Sequence, residues 1–237
     1  MTNNIVVVQL GAPGCGKDTQ AALFIEMYGK ATKNTAERWD VISTGAHFRR
    51  HRREGTALGK LANHYIQQGL LVPNDVTLDM LRDAFFGSEV FGKNALLNGF
   101  PRNTDQAKAL VALLKEKAIK RTLAGVVYFD VRDDILLERL TARRVCKACS
   151  HTYNVLFTPP SQEGVCDHCG GEVVQRHDDT LEVQQVRLAV YQEETSPLIA
   201  YYQKRGELVA IDGNRPIDVV YKDFASAVLA LVSAVRS

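Results

Sequence analysis

The sequence predicts an α/β fold in which a doubly wound, five-stranded parallel sheet carries two inserts. Short apolar runs rich in β-branched residues alternate with helical patterns, as in a sheet whose strands are buried on both faces. A glycine-rich loop separates the first of these runs from the first helical stretch. Two stretches of different composition interrupt the alternation, and we expect each of them to form a small separate unit.

Five apolar runs predict the strands of the sheet. They are IVVVQL, DVIS, ALLNGF, GVVYFDV and ELVAID, at residues 5–10, 40–43, 95–100, 125–131 and 207–212. Because helical patterns fill the intervals, the strands are expected to connect through βαβ units, which makes the sheet parallel.

Helices are predicted from apolar residues that recur at helical spacing. One helix runs from Lys17 to about Tyr28, another covers 74–86, and the last begins at Pro216, a residue suited to a first helical turn. The apolar stripes are Leu78, Leu81 and Phe85 in the second of these helices, and Val220, Phe224, Val228 and Leu231 in the last.

The two inserts differ from each other in composition. Residues 43–72 are polar and helical, and they include the basic run RRHRR at 49–53, which we interpret as a solvated helix face. Residues 145–177 are rich in cysteine, glycine, histidine and proline, with little helical pattern. The first insert is therefore predicted to be helical and the second irregular.

The glycine-rich loop predicts a phosphate site. Gly11, Gly16 and Lys17 fit the G-x-x-x-x-G-K pattern, with a strand before it and a helix after it. Glycines let the backbone N–H groups turn towards phosphate oxygens, the helix N-terminus adds partial positive charge, and the lysine reaches the β- and γ-phosphates. The strand–loop–helix context favours this interpretation over a glycine turn with no ligand. Asp18 stands where a Ser or Thr usually follows the lysine.

Four of the five cysteines predict a metal site. Cys146-x2-Cys149 is followed after 16 residues by Cys166-x2-Cys169, the spacing of a four-thiolate zinc ribbon. Four sulfurs leave no open position on the ion, so the zinc is predicted to be structural. Four unligated thiols, or disulfides in an oxidising setting, would also be compatible with these pairs. Cys15 stands apart, in the phosphate loop.

Composition and charge exclude several other classes. Apolar residues make up 46% of the 237-residue chain, and 29 basic against 27 acidic residues leave a net charge of +2, which gives little support to a nucleic-acid-binding surface. No run approaches the roughly 18 apolar residues of a membrane span. The N-terminal residues lack the pattern of a secretory signal, so we expect a cytoplasmic protein.

Several motifs together resemble adenylate kinases, in particular the long bacterial form with a zinc ribbon in its lid. The resemblance covers nearly the whole chain. The motifs are, in order, GAPGCGK (11–17), ISTGxxxR (42–49), GLLVP (69–73), NGFPR (98–102), Gln106, RLTARR (139–144), the ribbon ending CDHCGG (166–171), QRHDD (175–179) and IDG (211–213).

The resemblance implies a P-loop NTPase-type core with two mobile inserts. The core would comprise 1–42, 73–141 and 180–237, the nucleoside-monophosphate insert 43–72, and the zinc-binding lid 142–179. It implies reversible phosphoryl transfer from MgATP to AMP, giving two ADP, by a monomer that serves adenine nucleotide homeostasis. Mg2+ would accompany ATP. The AMP phosphate, with a second pKa of about 6, needs no general base.

The resemblance also assigns the site residues. ATP would be held by Gly11, Gly14, Cys15, Gly16, Lys17, Asp18, Thr19, Arg139, Arg143, Thr152, Tyr153 and the backbone near Arg215. AMP would be held by Thr44, Arg49, the backbone of Leu70, Leu71 and Val72, then Gly99, Phe100, Pro101, Arg102, Gln106, Arg176 and Arg187. The catalytic set would be Lys17, Arg102, Arg139, Arg143, Arg176 and Arg187.

Three residues depart from the family pattern. Asp18 replaces a glycine, while Ala46 and Asn98 each replace an aspartate that in the family helps to hold the hydrated Mg2+. In one hypothesis the site is rearranged but active: Asn98 keeps an acceptor oxygen, and Asp18 either supplies compensating charge or points into solvent at the helix start. In the second hypothesis, the protein is a nucleotide-binding regulator with weakened catalysis.

The residues near Thr44 leave the identity of the acceptor open. Ala46, His47 and Phe48 alter this wall, so the acceptor could be a different nucleoside monophosphate. A nucleic-acid-binding zinc ribbon is a hypothesis of a different class, which the near-neutral charge disfavours.

Two adjacent aspartates after the second insert have two possible roles. Asp178 and Asp179 either pair with lid arginines or cap the helix predicted to start near Thr180.

Overall fold

Buried parallel strands form the centre of the protein. A computed structural model describes residues 4–31, 38–86, 92–176 and 179–236. Its main sheet has the spatial order β2-β3-β1-β4-β8, and all four of its strand pairs are parallel. The strands are β1 (Asn4–Leu10), β2 (Trp39–Ser43), β3 (Asn94–Asn98), β4 (Arg121–Asp130) and β8 (Leu208–Asp212). The predicted five-stranded sheet is confirmed.

Two of the strands differ from their predicted bounds. β3 ends at Asn98 rather than at residue 100, because Gly99 turns into the left-handed region with a φ of +82°. β4 begins at Arg121 rather than at residue 125, and its pairing with β1 shifts register between Leu123 and Gly125. The less apolar first part of β4 extends the sheet beyond the apolar run.

Helices cover both faces of the sheet, as the continuous apolar runs predict. Val7, Phe24 and Phe224 belong to the cluster on one face, and Val8 and Leu97 to the cluster on the opposite face. The helices are α1 (Lys17–Ala31), α2 (Thr44–Arg53), α3 (Ala57–Gln67), α4 (Asn74–Phe86), α5 (Thr104–Lys115), α6 (Asp133–Thr141), α7 (Leu181–Val190), α8 (Pro197–Lys204) and α9 (Ile217–Arg236).

The predicted helices are confirmed with small changes at their ends. α4 has the predicted bounds, and α9 begins one residue after Pro216. In α9 the stripe of Val220, Phe224 and Val228 is buried, while Val232 is buried more deeply than Leu231 at the next turn. A π-helical turn at Tyr191–Thr195 joins α7 to α8.

The first insert consists of α2 and α3, which cross at a glycine. Each helix is capped by a hydroxyl: Ser43 Oγ accepts from the Ala46 N–H at 3.3 Å, and Thr56 Oγ1 from the Gly59 N–H at 3.0 Å. A Cβ at Gly59 would lie 2.2 Å from the His51 carbonyl oxygen, so only glycine allows this approach. Arg50, Arg52 and Arg53 are exposed, which agrees with a solvated basic face.

The second insert contains a small antiparallel sheet of order β6-β5-β7. Its strands are β5 (Arg143–Cys146), β6 (Thr152–Asn154) and β7 (Val173–Val174). Among the described residues, the structure contains no helix with the length and apolar character needed to cross a membrane.

Candidate active site

The phosphate loop, residues 11–16, lies between β1 and α1 at the carboxyl edge of the sheet. Gly11 and Gly14 are required by space, and Gly14 and Gly16 by backbone angle. A Cβ at Gly11 would lie 2.7 Å from Cys15 Sγ, and one at Gly14 would lie 2.8 Å from Leu140 Cγ. Gly14 and Gly16 have φ values of +84° and +98°. The loop therefore adopts a shape that side chains would prevent.

Lys17 lies folded over this loop. Its Nζ donates hydrogen bonds to the carbonyl oxygens of Gly11, at 2.6 Å, and Ala12, at 3.0 Å, and lies 3.1 Å from Cys15 Sγ. The first residue of α1 thus holds a cation directly above the backbone that would cradle phosphate. To reach a bound phosphate, the ammonium group exchanges carbonyl oxygens for phosphate oxygens.

Two of the three unusual residues contact each other. Asp18 is exposed at the start of α1, and its Oδ1 accepts a hydrogen bond from Asn98 Nδ2 at 2.5 Å. Asn98, the last residue of β3, is 4% exposed. Asp18 therefore does not simply point into solvent, because one of its oxygens is held by a buried amide.

Arg102 is held in place by the segment that follows β3. Its Nε donates to the Gly99 carbonyl oxygen at 3.0 Å, and Thr195 in the π-helical turn donates to the Arg102 carbonyl oxygen at 2.8 Å. A Cβ at Gly99 would lie 2.5 Å from Thr44 Oγ1, so glycine allows this segment to approach α2. The Phe100–Pro101 peptide bond is cis.

The charge of Arg187 acts on Arg102. Although much of the Arg102 side chain is exposed, desolvation by the surrounding protein and then the charge of Arg187 lower the pKa of Arg102 to about 10, while Asp18 opposes the shift. Arg102 still carries its charge at neutral pH. Two guanidinium groups within electrostatic reach of each other attract an anion such as a phosphoryl group.

Gln106 is buried and already uses both ends of its amide. Its Oε1 accepts from the Arg102 N–H at 2.8 Å, and its Nε2 donates to Asn74 Oδ1 at 2.7 Å. The second N–H of Nε2 and the second lone pair of Oε1 are the groups that these two bonds do not use. In the structure Gln106 holds the backbone of Arg102.

Asp179 connects the arginines of the second insert to α7. It is 0% exposed, and both of its carboxylate oxygens accept hydrogen bonds from Arg143. Gln184 Nε2 donates to Asp179 Oδ1 at 2.9 Å, and Arg187 Nη1 lies 3.9 Å from the same oxygen. Of the two roles predicted for Asp179, the structure shows the pairing with an arginine of the lid, Arg143, and the residue that caps α7 is Thr180. Asp178 lies outside the described residues.

Arg187 also reaches the first insert. Its Nη2 donates to the Ile66 carbonyl oxygen in α3 at 3.5 Å. At Gly69 a Cβ would lie 3.1 Å from the Val183 carbonyl oxygen and 3.2 Å from Arg187 Cγ, so the end of the first insert packs closely on α7. The segment predicted to hold AMP, Leu70–Val72, follows directly, with Val72 buried.

The remaining arginines of the predicted set lie at several positions around the cleft. Arg139 donates to the Gly213 carbonyl oxygen at 3.0 Å, and desolvation lowers the pKa of this side chain. Arg215 forms ion pairs with Asp212 and Asp223. Arg49 Nη1 lies 3.0 Å from the position of a Cβ at Gly45. Arg176 is half-buried directly after the small sheet.

The four cysteines meet as the spacing predicts. Their sulfur atoms all lie within 4.8 Å of one another, with Cys146–Cys169 at 3.5 Å and Cys149–Cys166 at 3.6 Å. These distances are far longer than a disulfide bond of about 2.05 Å. They are close to the roughly 3.8 Å between sulfurs that each lie about 2.3 Å from a tetrahedral zinc. The donor set therefore fits structural zinc.

The side chain of Tyr153 is buried beside the cysteines. Its side chain is 5% exposed inside the ribbon, where its hydroxyl donates to Cys166 Sγ at 3.4 Å and accepts from the Asp167 N–H at 2.8 Å. The first of these bonds lowers the pKa of Cys166 to about 6, which favours the thiolate that binds metal. Only the Tyr153 backbone is left for ATP, while the neighbouring Thr152 is exposed.

Sequence reasoning missed the polar residues that support the site. Asn74 holds Gln106, Thr195 holds the backbone of Arg102, and Gln184 holds Asp179. Their partners are distant along the chain, except that Gln184 follows Asp179 by five residues. An uncharged polar residue within a helical pattern gives no signal for such a contact.

Comparisons with known proteins agree with this geometry. The sequence model of the family described as adenylate kinase matches residues 9–207. The chain is 44% identical over 225 residues to the adenylate kinase of Caldanaerobacter subterraneus subsp. tengcongensis, covering 94% of this chain and 96% of that protein. It is 42% identical over 224 residues to that of Symbiobacterium thermophilum, covering 94% and 98%. It is 43% identical over 222 residues to that of Clostridioides difficile, covering 93% and 97%.

Proposed function

The chain belongs to the adenylate kinase family and transfers a phosphoryl group between ATP and AMP, and from this premise we propose how its residues divide that work. ATP binds on the phosphate loop under the second insert, and AMP binds between the first insert and the segment 99–106. The observation that carries this assignment is that the phosphate loop and the segment 99–102 follow the neighbouring parallel strands β1 and β3 and are joined by the hydrogen bond between Asn98 and Asp18.

The ATP side uses backbone N–H groups for most of its phosphate contacts. The loop from Gly11 to Thr19 cradles the phosphates, and Lys17 moves from its carbonyl partners to the β- and γ-phosphates. Arg139 and Arg143 reach the phosphates from the base of the second insert. The rest of the nucleotide lies against Thr152, the backbone of Tyr153 and the backbone near Arg215.

The AMP side is built on two glycine-dependent contacts. Gly99 allows the segment 99–102 to approach Thr44, and Gly69 brings Leu70–Val72 against α7. AMP lies between these two segments, with its phosphate on Arg49 and Arg102. Gln106 acts mainly by holding the Arg102 backbone, and Arg176 and Arg187 act on the phosphoryl group during transfer.

The reaction needs alignment and charge neutralisation more than proton transfer. An oxygen of the AMP phosphate attacks the γ-phosphorus, the bond to the bridging oxygen breaks, and ADP leaves as the second ADP forms. Magnesium carried by ATP would neutralise part of the phosphate charge when bound. Lys17, Arg102 and Arg187 stabilise the charge on the transferring group, and closure of the second insert excludes water that would otherwise accept it.

A steady-state assay of ATP with AMP, GMP, CMP and UMP tests this proposal. We expect AMP to be the preferred acceptor. Arg102→Lys should lower kcat roughly 100-fold or more, because a point charge cannot reproduce a guanidinium fork. Arg205→Lys, in an exposed ion pair with Glu207, is the matched control and should leave kcat unchanged. A clear preference for GMP or a pyrimidine nucleotide would contradict the assignment of AMP.

A further inference from the structure

Asp18 lies where a negative charge is unexpected. It directly follows Lys17 at the start of α1, beside the loop that receives the phosphates of ATP. The charges within its electrostatic reach include Arg102, whose pKa it helps to keep high. A carboxylate at this place repels a bound polyphosphate, unless a cation lies between the two anions.

The fold holds Asp18 in a defined position. Gln9 is paired with Asn98 across β1 and β3, and its Nε2 donates to the Lys17 carbonyl oxygen at 3.2 Å. Asn98 then donates to Asp18 Oδ1, so neighbouring side chains of two central strands fix the first turn of α1. Because a carboxylate only accepts hydrogen bonds, the amide nitrogen of Asn98 must face Asp18. The second carboxylate oxygen of Asp18 remains available to further donors on its exposed side.

The hydrogen bond places the carboxylate close to a strand end that lacks one. The resemblance expects an aspartate at position 98, and the chain has its amide analogue there. One hydrogen bond away, it has gained a carboxylate at position 18. Magnesium prefers oxygen ligands and keeps several waters, each of which donates hydrogen bonds to an acceptor such as a carboxylate. The oxygens of Asp18 and Asn98 fit the outer shell of such an ion.

We propose that Asp18 supplies the carboxylate that accepts hydrogen bonds from the water shell of the magnesium carried by ATP, and that Asn98 is the positioning residue that holds Asp18. The proposal deepens the proposed function and rests on it, because it requires ATP to bind on the phosphate loop. It explains why two departures from the family pattern occur together and in contact.

Calorimetric titration of the whole protein with ATP tests the proposal, once with excess Mg2+ and once with EDTA. The ratio of the two Kd values measures how much magnesium strengthens binding. Asp18→Asn should reduce this ratio about ten-fold or more, the effect of losing charge-assisted hydrogen bonds, and should tighten binding of magnesium-free ATP. Asp18→Glu should keep part of the ratio. Asp218→Asn, an exposed first-turn aspartate of α9, is the matched control.

Two further variants keep the test independent of any single substitution. Asn98→Ala leaves Asp18 in the chain but removes its support, and should lower the ratio by a smaller factor. Asp18→Asn combined with Asn98→Asp should restore it, because the carboxylate returns to the strand end. Thermal melting followed by circular dichroism confirms that each variant is folded.

The outcomes separate this proposal from the proposed function. An unchanged ratio of the two Kd values in Asp18→Asn would overturn this proposal. An equal decrease of the Kd for ATP with and without magnesium would also overturn it, because it indicates simple repulsion between the Asp18 carboxylate and the phosphates. Absence of ATP binding, or of turnover with ATP and AMP, in the unaltered protein would contradict the proposed function itself.

Discussion

The two inserts interrupt the same sheet but are stabilised in different ways. In the first insert, Phe48 and Ala62 belong to the large apolar cluster that also contains strand residues of the main sheet. In the second, Cys146, Tyr153, Cys166 and Val173 form a cluster of their own. The first insert therefore shares the core of the protein, whereas the second has only a small cluster that includes two of the four cysteines. The comparison shows that an insert without enough apolar residues for a core can be ordered by a few metal ligands.

Of the changes considered, removal of the metal should have the largest effect, and this effect should fall on the second insert. Cys166→Ser is expected to abolish zinc binding and unfold the second insert, because structural zinc contributes on the order of 10 kcal/mol to folding in small zinc domains. Zinc content by mass spectrometry and protease cleavage within 147–175 measure this. The main thermal transition should persist. Cys15→Ala is the control, and its zinc content should be normal; equal zinc loss in both variants would contradict the site.

Truncation of Phe48 should have the next largest effect, and on the first insert. Phe48→Ala removes a buried ring from the shared core and is expected to cost about 3–5 kcal/mol. Because the core is shared, the whole protein should unfold at lower denaturant concentration in a single transition, with zinc content unchanged. Chemical denaturation followed by circular dichroism measures the loss. Separate early unfolding of 43–72 would show that the first insert is also an independent unit.

Asp179→Asn tests the connection between the second insert and the core. The substitution removes a buried charge that accepts from Arg143 and Gln184, at an expected cost of roughly 3 kcal/mol or less, since Arg143 retains some contact with solvent. Hydrogen exchange should increase around 143 and 184, while the ribbon keeps its metal. Zinc loss in this variant would mean that the ribbon depends on its attachment as well as on the metal.

The smallest effect is expected at the surface of the ribbon. Lys147 and Glu172 form an ion pair at 2.7 Å, but both side chains are mostly exposed, at 59% and 62%. Lys147→Ala should change stability by less than about 0.5 kcal/mol and leave zinc release by a chelator unchanged. A large acceleration of zinc release would show that surface charge contributes to the ribbon after all.

Sequence patterns predicted the parts of the protein that depend on local chemistry. The apolar runs located all five strands of the sheet, the glycines located the phosphate loop, and the cysteine spacing located the ribbon. The early start of β4 was missed because Arg121–Ala124 gains its strand conformation from pairing with β1 rather than from an apolar run. The break between α2 and α3 was missed because Glu54–Thr56 carries only a weak turn signal.

The site was harder to predict than the fold because its contacts join distant residues. The bond between Asp18 and Asn98 spans 80 positions, and that between Asn74 and Gln106 spans 32. No periodicity reports such pairs. Tyr153 was assigned to ATP by resemblance, whereas the burial of its side chain against Cys166 is decided by packing within the ribbon and gives no signal in the sequence.

The position of Arg187 has a thermodynamic consequence for the two nucleotides. The same guanidinium lies against Asp179, which anchors the second insert, and against the Ile66 carbonyl oxygen at the end of the first. A ligand that moves one insert also changes the interaction of Arg187 with the other insert, so the binding of ATP and the binding of AMP share a free-energy term. Linkage then requires reciprocity: by whatever factor AMP changes the affinity for ATP, ATP changes the affinity for AMP by the same factor.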